Sequence, residues 1–283
     1  MMPTQLRAFI WLLVGGFCLL APQSVYAVAL AESNLSFSNL QIVPASGTVV
    51  LTPWGLEAFA EARNSLGELD QDYASSTSPD QVQADAAVTW ANAQGDASAL
   101  ADPPDLNVTA NANSTVDIPD HIKMAWAASD GRGSLSNLFT ITGGTGSVEV
   151  DFSVDIAGSL HVLTTNNGIL AETETIFTLA VINLITGDLE LLLSNDDPDK
   201  PPLPHLLVGP NSKDDLSISE TLTATPTLEF STPGLEVPYF LYIEVDSESF
   251  GVVPEPPVLA LMSLGVGILV VSARKNRETL RAN

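Results

Sequence analysis

Cysteine is nearly absent from this 283-residue chain: the only one, Cys18, lies in an apolar stretch near the N-terminus. A single thiol excludes a disulfide framework and a thiolate zinc site. Cations are scarce as well, with 10 Lys and Arg against 34 Asp and Glu, a formal net charge of −24. Binding nucleic acid or an anionic membrane surface needs clustered cations, so neither is expected as a direct partner of the folded part. The three histidines, His121, His161 and His205, are far apart in sequence and have no ligand partners at the spacing of a zinc hydrolase. There is no nucleophile elbow and no phosphate-binding loop. Scattered carboxylates are too numerous for any one pair to be read as a glycosidase acid and base, so the chain is not expected to be an enzyme.

Two terminal segments are present instead. Residues 1–7 carry one positive charge and no acid, residues 8–20 are almost wholly apolar, and Val25-Tyr26-Ala27 places small residues at cleavage positions. This is the pattern of a secretory signal peptide over residues 1–27, to be removed by signal peptidase. Ala27-Val28-Ala29 and Ala29-Leu30-Ala31 also satisfy the small-x-small rule, so the cut is expected between Ala27 and Ala31. Phe17, rather than a small residue, precedes Cys18, which argues against lipidation there.

At the other end, Val253 leads into Pro254, Glu255 and Pro256. An apolar run follows, starting at Val258 and ending at Ser272, and then a basic cluster of Arg274, Lys275 and Arg277. The 15 apolar residues would span about 22 Å as a helix, against a hydrocarbon core of about 30 Å. That is short for a permanent anchor, and the basic side would face the cytoplasm. Pro256 and Pro257 break any helix at the outer face and leave the backbone before them extended, the form proteases bind. A plain tail anchor is the alternative. Motif, apolar helix and basic cluster in this order resemble the PEP-CTERM sorting signal of Gram-negative bacteria, over residues 253–277. The resemblance implies that an exosortase-like membrane protease recognises Pro254, Glu255 and Pro256. It further implies that the protein, held transiently in the inner membrane, is processed and delivered to the cell surface or exopolysaccharide matrix.

Between these segments, residues 28–252 hold 32 of the acids and 5 of the Lys and Arg, a net charge of −27. The whole excess of acid is therefore in the part to be exported. Period-two patterning dominates its second half. Val148, Val150, Phe152, Val154 and Ile156 alternate with Glu149, Asp151, Ser153 and Asp155, which predicts a half-buried strand. Glycine-rich or Asn-Gly turns at 143–146, 166–168 and 186–188 predict three hairpins. Further strands are expected at 216–224, 227–230 and 239–245. Seven or eight short strands at this spacing predict an antiparallel β-sandwich. Leu241, Ile243, Val245, Phe152 and Leu222 are the candidate core.

The first half is less regular. Thr52-Pro53 has the form of a helix start, and Leu56, Phe59, Ala60 and Arg63 follow at helical spacing before Gly67, which predicts one short helix over 54–66. Residues 69–119 form an Ala/Ser/Asp-rich, low-complexity stretch, in which Val82 to Trp90 alternates weakly enough to suit a strand while its alanine would also allow a helix. Calcium is the one candidate cofactor: Asp196, Asp197 and Asp199 gather hard oxygen ligands in one loop, although the calcium-hand pattern is absent and a solvated turn is the plainer account. A structural or adhesive role follows. The rivals are a carbohydrate-binding module with an aromatic platform including Trp90, Trp126 or Tyr239, and a secreted glycan hydrolase with carboxylates clustered in a cleft.

Overall fold

Strict alternation of small or apolar residues with polar ones runs through nearly every long segment of the domain. A computed structural model describes residues 28–100, 106–119, 122, 124–165, 169–195, 205–209 and 212–253. In chain order the strands are β1 (Ala29–Pro44), β2 (Thr48–Leu51), β3 (Gly55–Asn64), β4 (Leu69–Thr77), β5 (Asp80–Val88), β6 (Ala91–Ala99), β7 (Val108–Ile118) and β8 (Ala125–Thr142). They continue as β9 (Ser147–Thr164), β10 (Leu170–Asn183), β11 (Leu189–Ser194), β12 (His205–Val208), β13 (Lys213–Ala224), β14 (Thr227–Glu229) and β15 (Tyr239–Val253). Among the described residues there is no helix. None is therefore long and apolar enough to cross a membrane, and the segment from Val258 to Ser272 lies outside the described residues.

All pairings are antiparallel. One sheet has the order β13-β9-β1-β7-β6-β5, with β14 continuing the edge of β9; the other has the order β11-β10-β15-β8-β3-β4, with β12 beside β10 and β2 beside β8. The sheets stack face to face, β1 and β7 lying over β15 while β6 lies over β3 and β8. Alternation along β9 is as expected, with Val148, Val150, Phe152, Val154 and Ile156 all buried. Leu241, Ile243 and Val245 are buried too, and Leu222 is half-buried against the same core.

The interior changes character across its width. On the β9–β10–β15 side it is filled by large side chains: Phe139 stacks on Tyr239 at 5.3 Å and meets Phe152 edge-on at 6.3 Å, and Phe37 meets Phe177 edge-on at 6.0 Å. On the β3–β5–β6–β7 side the buried positions are mostly alanine, among them Ala58, Ala60, Ala62, Ala93, Ala97, Ala110 and Ala112. There the backbones of the two sheets touch. A Cβ on Gly95 would lie 1.9 Å from the Arg132 carbonyl oxygen, and one on Gly133 would lie 2.1 Å from that of Asp96. The sheets are thus closer here than the roughly 10 Å usual for stacked sheets. Between the two regions sits a buried hydroxyl cluster. Ser33 meets Ser114 at 2.7 Å and Ser247 at 2.6 Å, while Ser249 meets Ser114 at 2.8 Å and Thr173 at 3.1 Å. Each hydroxyl satisfies another, which removes most of the cost of burying it.

Three expectations are corrected. The predicted helix over 54–66 is strand β3: Leu56, Ala58, Ala60 and Ala62 face the core while Glu57, Phe59, Glu61 and Arg63 face out. Alanine is the best helix former in isolation, but only a residue this small fits where the sheets touch, and packing overrides propensity. Thr52 bonds to β8 through Leu138 rather than capping a helix, and Gly67, at φ +83°, turns the β3–β4 hairpin. Second, the glycine turn 143–146 joins β8 of one sheet to β9 of the other and is not a hairpin. Third, the strands flanking Asn166-Asn167-Gly168 also belong to different sheets, those three residues themselves lying outside the described set. The β10–β11 hairpin around Gly187 forms as expected. The low-complexity stretch forms strands β4 to β7, with Val82, Ala84 and Ala86 buried as predicted for a strand.

Candidate functional site

The outer face of the β11–β4 sheet gathers carboxylates that are remote in sequence. Register places Glu61 opposite Asp130, Asp130 opposite Glu248, and Glu248 opposite Glu174, one acid from each of β3, β8, β15 and β10 in a single row. The next row along the strands holds Phe59, Arg132, Asp246 and Ile176. Like charges directly opposite one another destabilise a sheet, so this row needs compensation. Arg132 provides it: Nη2 lies 3.1 Å from Asp246 Oδ2 and 3.7 Å from Asp130 Oδ2, and Nε lies 3.8 Å from Glu244 Oε2. Its guanidinium also stands 6.0 Å from the centre of the Phe59 ring.

Arg132, with Arg63 3.7 Å from Glu61 at the end of the row, does not neutralise this many acids. Burial, reinforced by Asp130 and offset by Arg132, pushes the Asp246 carboxyl up to about 8. Burial also raises Asp130, against the pull of Arg132, and raises Glu248, helped by Asp130 and Glu174. Burial works against the charge of Arg132, but Asp246, Glu244 and Asp130 together hold its guanidinium above the ordinary arginine value. The Tyr242 phenol is raised, first by burial and then by its hydrogen bond to Glu244. Asp130 and Asp246 thus keep their protons to higher pH than free carboxyls do. One oxygen each from Asp130, Asp246 and Glu248 lies within 4.8 Å of the others, a spacing a hard divalent cation could bridge. A shallow depression lined by Glu61, Asp130, Glu174 and Glu248 opens above the row.

The predicted site residues fall elsewhere. Pro254, Glu255, Pro256, Val258, Ser272, Arg274, Lys275 and Arg277 lie outside the described residues, as do Asp196, Asp197 and Asp199. On the outer face of β9, Asp151 accepts a hydrogen bond from Thr225, and Asp155 accepts from Asn39 and Thr221. That face is knitted to its neighbours. His161 pairs with Asp215 of β13. The three aromatics form no platform: Tyr239 is fully buried with its hydroxyl accepting from the Glu229 N–H at 2.7 Å, Trp90 sits in the β5–β6 turn, and Trp126 stands exposed on β8. Phe240 and Tyr242, stacked at 6.4 Å on the outer face, are an aromatic pair that faces outward.

Reasoning from the sequence missed the carboxylate row. Its one readable trace is the alternation of Glu244, Asp246 and Glu248 along β15; the partners on β3, β8 and β10 depend on strand order and register, which no local pattern encodes. Comparison with protein-family models, curated proteins and solved structures finds no match to this chain.

Proposed function

We propose that this chain is an exported bacterial β-sandwich protein, non-catalytic, released by an exosortase-like protease to the cell surface or exopolysaccharide matrix and structural or adhesive there. The observation that carries the reading is the fit between fold and address. Strand β1 starts at Ala29, within two residues of the expected signal-peptide cut, and β15 ends at Val253, immediately before Pro254. Among the described residues, those between the two sorting segments belong to the sandwich, whose last strand ends where the sorting motif begins. Both ends also leave from one pole, since Gly251 of β15 packs against Ala29. The far pole lies about 50 Å away along β15, given roughly 3.3 Å per residue over its 15 residues. A tether at Val253 would hold that pole away from the membrane.

Intact-mass analysis of the mature protein tests this. The expected form begins after a cut between Ala27 and Ala31 and lacks residues 258–272. A mature protein that keeps those residues in cells with a working exosortase overturns the processing claim. The carboxylate row favours a second reading, a glycan hydrolase. Against it, the row lies in a shallow depression on an open sheet face rather than in a cleft that could enclose a sugar chain. Turnover of polymeric sugars that disappears in Asp246→Asn and Glu248→Gln would establish this reading instead. For the carbohydrate-binding reading, loss of glycan-array binding on replacing Phe240 and Tyr242 is the corresponding result.

A further inference from the structure

Strand β4 is the last strand of one sheet and β5 the last of the other, and the chain passes between them in two residues, Ser78 and Pro79. Adjacent edges of this kind either pair or leave a row of N–H groups open to a foreign strand. Here side chains do what a strand would. Glu68 Oε2 accepts the Thr89 N–H at 2.9 Å, Asp70 Oδ2 accepts the Ala87 N–H at 2.9 Å, and Asp72 Oδ2 accepts the Asp85 N–H at 3.2 Å. Each step of two forward along the acids is a step of two backward along β5, which is antiparallel register with carboxylates standing where carbonyls would be. Asn64 fixes one end of the row, its Nδ2 donating to Glu68 Oε2 at 2.5 Å and to the Thr89 carbonyl at 2.8 Å. Ser78 fixes the other, donating its N–H to the Trp54 carbonyl at 2.8 Å and accepting the Trp54 N–H on Oγ at 3.0 Å.

We propose that Glu68, Asp70 and Asp72 form a side-chain latch with an acid-released end: the three carboxylates occupy the outward N–H groups of Thr89, Ala87 and Asp85 and close the sandwich along this edge, and protonation of Glu68 frees the Thr89 end and opens it to strand addition. Hydrogen bonds between charged and neutral groups are the stronger ones, so protonation removes most of the hold. The bonds from Asn64 and then Thr89 keep the Glu68 carboxyl below the usual range. A depressed carboxylate contributes to the closed state above its unfolded pKa, about 4.3 for Glu, and that contribution is lost as pH falls through the lower folded value. The charged or titratable groups on the strands packed against the latch are Glu57, Glu61 and Arg63 of β3 and Asp80 and Asp85 of β5, with Tyr73 on β4 itself. Arg63, the one cation of these strands, pairs with Glu61 at 3.7 Å, so acidification is not opposed by a cation held at the latch.

Amide hydrogen exchange on the full chain in mild detergent reads the latch directly. Replacing Asp70 and Asp72 together by Ala is expected to speed exchange at Asp85 and Ala87 by about tenfold or more, with amides of the β1–β9 ladder unchanged. Glu68→Gln keeps an acceptor and removes the charge; it should retain most of the protection at Thr89 and lose the wild-type fall as pH drops below about 4.3. Unchanged exchange at Asp85 and Ala87 in the alanine variant, or the same acid dependence at Thr89 in the glutamine variant as in the wild type, overturns the proposal.

Discussion

Arg132→Met is the sharpest test of how the carboxylate row is held. The substitution keeps an apolar stem beside Phe59 and removes the charge that faces Asp246, Asp130 and Glu244 at 3.1, 3.7 and 3.8 Å. Removing one partner of a buried ion pair costs about 3–5 kcal/mol. Asp246 is only 13% exposed but Arg132 is 39% exposed, so solvent screens part of the loss and about 2–3 kcal/mol is expected at pH 8. The cost must depend on pH. A carboxyl raised to about 8, as at Asp246, holds a proton in the folded state that the unfolded chain releases near 3.9, so its contribution lowers stability as pH rises between those values. At pH 5 Asp246 carries its proton whether or not Arg132 is present, whereas near pH 8 it is partly ionised and Arg132 stabilises that charge. The loss at pH 5 should therefore shrink to about 1 kcal/mol. Urea denaturation at both pH values, followed through the fluorescence of the buried Trp54, measures the difference. Equal losses at pH 5 and pH 8 would refute the electrostatic account and leave packing against Phe59 as the role of this residue.

Two further substitutions test the two kinds of interior. Gly133→Ala puts a methyl 2.1 Å from the Asp96 backbone oxygen and should cost about 3 kcal/mol or more, whereas Gly55→Ala meets only the Ser136 hydroxyl at 2.7 Å, which can rotate away, and should cost under about 1 kcal/mol; similar melting temperatures for the two would reject direct sheet contact. Phe152→Ala, which empties the space against Phe139, should lower the unfolding free energy by about 3–5 kcal/mol with the denaturant slope unchanged, and an unmoved midpoint would remove Phe152 from the core.

Where a segment had one buried face and a short local turn, its structure was readable from its residues. Alternation at 148–156 and the turn at Gly187 are local signals, and both appear as strand and hairpin. The turns at 143–146 and 166–168 looked the same in sequence, yet they join strands of opposite sheets. A turn motif reports that the chain reverses; whether it returns within its own sheet is decided by which strand wins the neighbouring place. Residues 54–66 fit both periods, and the choice was made by Gly95 and Gly133, which bring a second sheet so near that only alanine fits opposite. The carboxylate row was hidden for a related reason: Glu61 and Glu248 are 187 positions apart, and only register across β8 brings them into line.

The alanine-filled side of the interior has a thermal consequence. Unfolding heat capacity follows the apolar area newly exposed to water, and strands whose buried residues are mostly alanine expose little of it for each residue ordered. Strands β3, β5, β6 and β7 hold by backbone proximity and ladder bonds more than by removal of hydrocarbon from water. The domain should therefore show a heat-capacity increment per residue below the usual globular value and a flattened stability curve, losing less of its folding free energy on cooling than a sandwich filled throughout with leucine and phenylalanine.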